Sequence, residues 1–534
     1  MASSAPRSSR DRPAAPEAVA AALERFVAER LPAALPRQRW FGSQGRRVVA
    51  VRLRDLAPLG ARAPGAWWSL VDVEFERGAD ETYALPLLVC GDARAPGGTL
   101  GHLEVEGVPG LVADALDEPS FCRALLAAIG EDLTVRCRRG VIRFLRAAAF
   151  PTGAAFDALV PKRLGGEQSN TSVVYGDALI LKAFRRIAPG TNPEREMTGF
   201  LTTRARFRHV PQLAGAVEYL PAEGEAVTLA VLHRFAPNRG DGWSWALRHL
   251  AELRNFVATR GRHEPLEPGR LGELVRDFSA GTVAGLGLLG GLTGALHAGL
   301  AEAPDDLAFA AEPISSGDVA RWTGRIASDL GLTLEMLRVS LPMLPAPARG
   351  RGQALLAAGP ALNASLDGLA PLTVEGCCKI RVHGDYHLGQ TLRTDDGFVI
   401  LDFEGEPVRP PEERRAKQCA LKDVAGMLRS FDYAVATALG DEGAASAVGD
   451  TWRRLAVEAF LDGYLPAAAK APVRLGPSAR PTLHRALAVF ELDKALYEVR
   501  YELDHRPTWV DVPLRGLARL LLAGPARPAP PWVA

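Results

Sequence analysis

The spacing of apolar residues divides the chain into a strand-rich first part and a helical second part. An Ala-rich stretch from Pro16 to Leu35 has apolar residues at helical spacing and predicts an amphipathic helix. Two segments rich in β-branched and aromatic residues follow, WWSLVDVEFE (67–76) and ETYALPLLV (81–89), and both predict strands. The Pro/Gly-rich GDARAPGG (91–98) interrupts this pattern and predicts a domain boundary at residue 98.

Beyond residue 239 the periodicity is mostly that of helices, which continue to the end of the chain. The longest uncharged run in this part, residues 278–296, contains six glycines and little bulk, and predicts a packed helix rather than a membrane span. The first 15 residues lack the apolar segment of a secretory signal and predict a disordered tail. We therefore expect an α+β protein without a membrane segment.

The charge balance and the cysteines narrow the class of protein. Lys and Arg number 63 and Asp and Glu number 62 in 534 residues, so no overall field would attract nucleic acid or an anionic membrane. Any phosphate group must then be bound by a local set of residues. The six cysteines form no CxxC pair, which favours a reducing compartment, and we expect a cytoplasmic protein.

The segment RVHGDYHLGQTLRTDDGFVILDFEGEP (381–407) concentrates polar residues within the helical part. Short runs on either side of Asp396-Gly397 predict a β-hairpin that turns at that pair. In this register Gln390 and Asp402 converge at the open end of the hairpin, and Asp385 lies on the loop that leads into it. Carboxylate and amide oxygens are hard ligands, so the pattern predicts a magnesium site and leaves Asp385 free to act as a base.

Two other interpretations of this segment stay open. His383 and His387 have the spacing of zinc ligands on a helix, but Gly384 and Gly389 disfavour a helix, and no cysteine or third histidine is close in sequence. A structural hairpin with solvated aspartates is the other alternative. It must explain why Asp402 follows a run of apolar residues, where an unpaired charge is costly.

A second set of polar residues lies between residues 164 and 201. Gly176-Asp177 predicts another hairpin, with Lys182 on its second strand. Asn192 followed by proline predicts the start of a helix, which places Glu196 in its first turns. Kinases hold ATP phosphates with such a strand lysine and helix glutamate, whereas a surface ion pair is the plain alternative.

The turn before the lysine strand, EQSNTS (167–172), offers hydroxyl and amide groups where a kinase has its phosphate-covering loop. Together with this turn, several stretches resemble those of the aminoglycoside-phosphotransferase-like kinases, and within that group the maltokinases. They are RWFGSQGR (39–46), EQSNTSVVYGDALILKAFRR (167–186), GTNPERE (190–196), RGDGW (239–243), HGDYHLGQ (383–390), ILDFEGEP (400–407) and LDKALYEVRYELDHRPTWVDVPL (492–514).

The resemblance implies a bilobal protein-kinase-like fold. After a tail at 1–15, residues 16–98 would form an N-terminal cap, 99–238 a small lobe with a hinge at VLHRFAPN (231–238), and 239–534 a helical lobe. One departure from the family is Gln44 in RWFGSQGR, where related proteins often carry lysine.

The resemblance also assigns roles to individual residues. It implies that Asp385 is the catalytic base and that Gln390 and Asp402 hold Mg²⁺. The residues implied to bind ATP are Gln168, Ser169, Asn170, Thr171, Lys182 and Glu196.

A sugar site is implied on one face of a C-terminal helix. It would consist of Lys494, Tyr497, Glu498 and Tyr501, at positions i, i+3, i+4 and i+7. By spacing alone, the favoured interpretation is a helix that packs its tyrosines in the core and exposes Lys and Glu as a pair.

The implied reaction is the ATP-dependent phosphorylation of maltose to maltose 1-phosphate, which feeds α-glucan (glycogen) synthesis. One alternative is a kinase for another sugar or for an amino sugar such as glucosamine, whose amine would favour a further carboxylate from Glu404, Glu406 or Glu498. Another is a catalytically silent, nucleotide-binding partner of a trehalose-synthase-like enzyme.

Overall fold

The computed structural model describes residues 15–59, 65–91, 98–152, 159–165, 169–261, 267–406, 409–440 and 444–522. These residues form two compact units. The first contains the described residues up to Gly199 together with Pro211–Phe235, and the second contains Phe200–Val210 and the described residues from Ala236 onward. Most strands belong to the first unit and most helices to the second, so the predicted α+β class is confirmed.

The first unit begins with two helices, α1 (Pro16–Glu29) and α2 (Leu31–Ala34), where a single helix was predicted. Pro32 accounts for the break, because it has no N–H to continue the hydrogen-bond pattern of α1. The helices are followed by an antiparallel sheet in the spatial order β1-β2-β3-β5-β4. Its strands are β1 (Val48–Pro58), β2 (Ala66–Phe75), β3 (Glu81–Cys90), β4 (Thr99–Val105) and β5 (Val108–Asp114).

This sheet continues across the predicted boundary at residue 98. β5 pairs with β3, with Leu87 opposite Asp114, so β4 and β5 complete the sheet that β1–β3 begin. One apolar core joins α1 to the sheet, with Phe26 and Trp67 among its buried residues. The Pro/Gly-rich segment therefore lies between two strands of one sheet.

A second antiparallel sheet follows α3 (Pro119–Gly130), in the spatial order β6-β7-β12-β13-β10-β9-β8. A short strand, β11, pairs with β3 of the first sheet and joins the two sheets by main-chain hydrogen bonds. α4 (Pro193–Thr203) follows β11. The strands are β6 (Thr134–Arg136), β7 (Gly140–Arg146), β8 (Pro161–Arg163), β9 (Asn170–Tyr175), β10 (Leu179–Phe184), β11 (Arg186–Ile187), β12 (Leu213–Pro221) and β13 (Val227–Arg234).

The second unit is mostly helical, as predicted from residue 239 onward, and contains two short antiparallel pairs, β14 with β15 and β16 with β17. In chain order its elements are α5 (Gly242–Gly261), α6 (Pro268–Leu300), β14 (Glu312–Pro313), α7 (Ser316–Ser340), α8 (Ala346–Ala364), α9 (Ala370–Val374), β15 (Cys378–Lys379), β16 (Thr391–Thr394), β17 (Gly397–Ile400), α10 (Pro411–Arg415), α11 (Leu421–Leu439), α12 (Ala444–Ala468), α13 (Arg480–His505) and α14 (Asp511–Leu522).

The glycine-rich run forms part of α6 and packs closely against α12. A Cβ added to Gly290 would collide with the main-chain oxygen of Phe460, and one added to Gly463 would collide with that of Gly287. The glycines thus allow the two helices to approach. By length and composition alone α6 is apolar enough to cross a membrane, but 56% of its most apolar stretch is buried inside the protein.

Candidate active site

The loop between β15 and β16 is fixed by a buried carboxylate on α11. The main-chain N–H groups of His383 and Gly384 donate to Asp423, at 2.7 and 2.9 Å. The Nε2 atom of His383 donates to the carbonyl oxygen of Leu401 at 2.7 Å, and its Nδ1 accepts from the N–H of Asp385 at 3.4 Å. These hydrogen bonds to Asp423, to Leu401 and within the loop therefore fix the backbone that carries Asp385.

Asp423 has a further buried partner, since His297 on α6 lies 3.1 Å from its Oδ2 atom. Burial by itself would raise the pKa of Asp423, but its hydrogen bonds to His297 and Gly384 hold that pKa below the usual range of aspartate. Asp423 therefore stays ionised and can accept all of these hydrogen bonds at neutral pH.

The predicted hairpin is present as β16 and β17, but its turn is not at Asp396-Gly397. Thr394 pairs with Gly397, so the two turn residues are Asp395 and Asp396. Gly397 instead takes the first position of β17, with a φ of +133° and Leu288 close to where a Cβ would stand. A glycine suits this position of the strand because of its positive φ and because Leu288 leaves little room for a Cβ atom. The turn therefore begins one residue earlier than predicted.

Despite this shift, Gln390 and Asp402 meet at the open end of the hairpin, as predicted. The Nε2 atom of Gln390 donates to Oδ2 of Asp402 at 3.0 Å, and the N–H of Leu401 donates to the carbonyl oxygen of Gln390 at 2.9 Å. Asp402 has a φ of +62°, an uncommon conformation for a residue with a side chain. Such backbone strain clusters at functional sites, where the surroundings fix it.

The donor set at the hairpin mouth fits magnesium. An ionised carboxylate and an amide oxygen, which a rotation of the Gln390 amide would present, are both hard ligands. Within the described ranges, no group of three or more His, Cys, Asp or Glu side chains converges on one point. An ion held by Gln390 and Asp402 would thus take its remaining ligands from phosphate and water, as Mg²⁺ does in phosphotransferases.

The alternative zinc site is not supported. Both ring nitrogens of His383 contact main-chain atoms, and Nδ1 of His387 accepts from the N–H of Gly389 at 3.1 Å. Because both ring nitrogens of His383 are engaged in ordering the loop, His383 does not present a nitrogen atom to a metal ion.

Lys494, on α13, contacts Asp385, the predicted base. Its Nζ atom lies 3.1 Å from Oδ1 of Asp385 and 2.8 Å from Oε1 of Glu406. Burial by itself would lower the pKa of Lys494, but the two carboxylates raise it above the usual value for lysine. The sequence pattern predicts Lys494 as a sugar ligand and carries no sign of these ion pairs.

Asp385 and Lys494 line one narrow cleft, with a cavity volume of about 20 Å³. Tyr497, one turn beyond Lys494, also lines it, and its role in binding sugar stays a prediction. The remaining lining residues come from the loop between β15 and β16, from the segment after β17 and from helices α11 and α13: Gly384, Tyr386, Glu406, Arg409, Lys422, Gly426, Phe490 and Asp493.

The other two predicted sugar ligands do not line this cleft. Glu498 is buried on a different side of α13, where it accepts from Nε and Nη2 of Arg429 at 3.0 and 2.6 Å. Tyr501 is 40% exposed and stacks on His505, with ring centroids 4.5 Å apart. Glu498 is therefore better placed to hold α13 against α11 than to bind sugar, because it is buried outside the cleft and its Oε2 atom already accepts two hydrogen bonds from a buried arginine.

The ion pair of Glu498 belongs to a larger buried network between α11, α12, α13 and α14. Asp432 on α11 contacts Arg429, Arg453 and Arg519. Burial by itself would raise the pKa of Asp432, but these arginines lower it to about 2. The network fixes the helix that carries Lys494 and Tyr497.

The residues predicted to bind phosphate lie in the first unit. The predicted hairpin is formed by β9 and β10, and Lys182 on β10 pairs with Ser172 and Val231 on its two neighbouring strands. Asn192 caps α4, with its Oδ1 atom accepting from the N–H of Glu194 at 2.8 Å, so the predicted helix start is confirmed. Glu196 lies in the first turn of α4, and its pairing with Lys182 stays a prediction.

The EQSNTS segment differs from the predicted loop. Gln168 lies outside the described residues, and Ser169 directly precedes β9. Asn170 and Thr171 are the first residues of that strand, and the buried hydroxyl of Thr171 accepts from Nε of Arg185 at 2.9 Å. The hydroxyl of Thr171 is thus engaged inside the sheet, and phosphate binding by this segment stays a prediction.

Arg185 connects this hairpin to the cap. It is buried, pairs with Asp114 at the end of β5, and lies with its guanidinium 4.7 Å from the ring centroid of Trp40. Trp40 belongs to RWFGSQGR, so this motif helps to hold the strand that carries Lys182. In the same motif Gln44 donates to the carbonyl oxygen of Gln38 at 2.9 Å.

Comparisons with known proteins agree with this architecture. Residues 35–117 match the family model of the maltokinase N-terminal cap domain. The chain is 30% identical over 365 residues to a glucosamine kinase of Streptacidiphilus jiangxiensis, covering 66% of this chain and 72% of the relative. A glucosamine kinase of Mycolicibacterium smegmatis is 27% identical over 367 residues, covering 67% of this chain and 79% of the relative.

A crystal structure of glucosamine kinase superimposes with a TM-score of 0.61 at 25% identity, over 93% of this chain and 98% of its own. Glucosamine kinase in complex with glucosamine, ADP and inorganic phosphate gives a TM-score of 0.60 at 24% identity, over 93% of this chain and 99% of its own. The bilobal kinase-like fold with an N-terminal cap is thus confirmed. The chain belongs to the family of kinase-like sugar and amino-sugar phosphotransferases that includes these glucosamine kinases.

Proposed function

We propose that this protein transfers the γ-phosphoryl group of ATP to a hydroxyl group of a small sugar, with an amino sugar of the glucosamine type as the first candidate. The observation that carries the proposal is the placement of Asp385. Its backbone is fixed by Asp423 and His383, and its side chain lines a cleft beside Lys494 and Tyr497.

In the proposed reaction Asp385 accepts the proton of the sugar hydroxyl as that oxygen attacks the γ-phosphorus of ATP, and ADP leaves with the electrons of the broken P–O bond. Gln390 and Asp402 would hold a magnesium ion, which supplies positive charge against the phosphate oxygens. Lys182 and Glu196 remain the candidates for binding the nucleotide phosphates. Tyr497 offers a ring face and a hydroxyl to the sugar.

The amino sugar is favoured by the relatives and by the carboxylates of the cleft. Both curated relatives named above are glucosamine kinases. Asp385 and Glu406 line the cleft; each already accepts from Lys494, but a carboxylate has about four lone-pair sites and can also accept from the ammonium group of an amino sugar. The match to the maltokinase cap does not separate the two sugars, because the glucosamine kinase structure superimposes on 93% of this chain and so includes most of the cap.

Maltose is the second candidate, with maltose 1-phosphate for α-glucan synthesis as its product. It is supported by the cap family and by the resemblance of RWFGSQGR and KALYEVRYELDHRPTWV to maltokinases. A trehalose-synthase-like enzyme as partner belongs to this second candidate.

A test of the proposal is ATP consumption by the purified protein with glucosamine, maltose, glucose, trehalose or an aminoglycoside, with and without Mg²⁺. We expect sugar-dependent formation of ADP and of a phosphorylated sugar, with the highest kcat/KM for glucosamine. Asp385→Asn should lower kcat by about 10²–10⁴-fold, the usual contribution of a positioned base. Sugar-independent ATP hydrolysis alone, or a fully active Asp385→Asn variant, would refute the proposed reaction.

A further inference from the structure

We propose that Lys494 is a positioning residue for the catalytic base, rather than only a sugar ligand: it aims the Asp385 carboxylate into the cleft and balances its negative charge against that of Glu406. The inference rests on the proposed function in one respect, that Asp385 is the base.

The first support is the geometry around the ammonium group. Nζ of Lys494 lies between two carboxylates, at 3.1 Å from Asp385 and 2.8 Å from Glu406. Glu406 is itself held by Nε of Arg409 at 3.2 Å. An ammonium group has three hydrogens, so these bonds use two and leave one for a group that enters the cleft. Lys494 is thus anchored by Glu406 on one side and restrains Asp385 on the other.

The second support is the rigidity of the helix segment that carries Lys494. The preceding residue, Asp493, makes two hydrogen bonds to Arg325 of α7, at 2.9 and 2.6 Å. One turn later Glu498 makes two hydrogen bonds to Arg429 of α11. Because α13 is held on both sides of Lys494, the position of the ammonium group is set before any substrate arrives, as preorganised catalysis requires.

The third support is the charge balance at the base. Burial by itself would raise the pKa of Glu406, but Lys494 and Lys422 lower it to about 2, so Glu406 is ionised at neutral pH. Without Lys494 the cleft would hold two carboxylates, Asp385 and Glu406, with no cation between them. The two like charges would then repel each other, which would turn the Asp385 carboxylate away from the position in which it accepts the proton of the sugar.

Other charged groups around Asp385 do not replace Lys494. His387, on the same loop, is mostly buried, and burial lowers its pKa, which keeps it neutral at pH 7. Arg409 and Lys422 also line the cleft, but both act on Glu406: Arg409 donates a hydrogen bond to it, and Lys422 lowers its pKa. Among the described residues that line the cleft, Lys494 is the cation that donates a hydrogen bond to Asp385.

The experiment compares Lys494→Met and Lys494→Arg with Arg485→Met, a control at an exposed position of the same helix. The readouts are kcat and KM for sugar and ATP, and kcat/KM as a function of pH. Lys494→Met should lower kcat by about 10²-fold, as a misplaced catalytic group does. It should also move the acidic limb of the pH profile upward by about 1–3 pH units, the effect of an adjacent opposite charge. Lys494→Arg should restore most of that shift, and Arg485→Met should match the parent protein.

A second variant gives a shift of opposite sign. Glu406→Gln removes a negative charge near Asp385 and keeps a side-chain oxygen that accepts from Lys494, so the acidic limb should move to lower pH. This variant also tests the inference if Lys494→Met fails to fold by circular dichroism. An unmoved limb in Glu406→Gln, or in a folded Lys494→Met, overturns the inference.

The outcomes separate this inference from the proposed function. A Lys494→Met variant with a raised sugar KM, an unchanged kcat and an unchanged limb would make Lys494 a sugar ligand only. If Asp385→Asn is inactive and Lys494→Met behaves like Arg485→Met, only the inference fails. If Asp385→Asn retains the parent activity, the proposed base fails first.

Discussion

Arg429 and Glu498 form a buried, two-bonded ion pair that links α11 to α13 one turn from Lys494. Their side chains are 2% and 10% exposed. Removing one partner of such a pair leaves an uncompensated charge in the interior, which is costlier than the pair itself. This relationship makes Glu498 a determinant of stability and of the position of α13.

The first prediction concerns this pair. Glu498→Ala should lower the free energy of unfolding by about 3–5 kcal/mol, because Arg429 would stay buried with half of its partners. Urea unfolding followed by circular dichroism measures the change, with exposed Arg485→Ala as the control on the same helix. A loss below about 1 kcal/mol would be the size expected of a surface pair and would contradict the structural role.

The pH dependence of stability should depend on Asp432. Its pKa is about 2 in the folded protein, against about 3.9 in an unfolded chain. A lowered folded pKa stabilises the protein above the unfolded value, and this contribution disappears as the pH falls from about 4 to about 2. The unfolding free energy of the parent should therefore fall across that range.

Asp432→Asn should be less stable at pH 7 and should show a flatter profile between pH 4 and pH 2. The matched control is Asp462→Asn, which removes an exposed carboxylate from α12. Equal slopes for the parent and Asp432→Asn in that range would show that the arginine cluster does not hold this carboxylate ionised.

The Mg²⁺ dependence of phosphoryl transfer should require the carboxylate of Asp402. Asp402→Ala should abolish Mg²⁺-dependent phosphoryl transfer, since neutral Gln390 alone cannot compete with water for the ion. Titration calorimetry should also show that Mg²⁺ no longer increases nucleotide affinity. Asp396→Ala, at the exposed turn of the same hairpin, provides the control. Parent-like magnesium dependence in Asp402→Ala would place the metal elsewhere.

Substitutions of Tyr497 and Tyr501 should have different effects on the KM for the sugar, although the sequence pattern predicts the same role for both residues. Tyr497→Ala should raise the KM for the sugar by about tenfold or more, because it removes a wall of the cleft. Tyr501→Ala should have a smaller effect, since Tyr501 stacks on His505 outside the cleft lining. Nucleotide affinity should stay unchanged in both. A larger effect at Tyr501 would move the sugar along α13.

Local patterns predicted the elements of the site better than its contacts. The Asn192 cap, the two hairpins and the meeting of Gln390 with Asp402 follow from turn and capping rules that act over a few residues. The predicted register of the hairpin was wrong because Gly397 begins β17 instead of forming part of the turn. At that position Leu288, from a helix distant in sequence, lies close to where a Cβ atom would stand.

The contact between Lys494 and Asp385 joins residues 109 positions apart, and no local rule carries such information. The residues predicted to share one helical face at 494–501 also lie in different environments, because tertiary packing places some in the interior and others at the cleft. Arg429 of α11 draws Glu498 into the interior, whereas Tyr497 faces the cleft. Spacing alone does not distinguish these two environments, because both lie within one broad stripe of the helix.

The position of Arg185 has a consequence for how the first unit unfolds. Its guanidinium is paired with Asp114 and covered by Trp40, while its carbonyl oxygen accepts from the N–H of Ala84 at 2.8 Å. Detaching the cap would leave a buried cation without its carboxylate, a penalty of several kcal/mol. The cap and the hairpin of Lys182 should therefore melt in one cooperative transition, and a chain shortened to begin after residue 117 should not hold that hairpin in place.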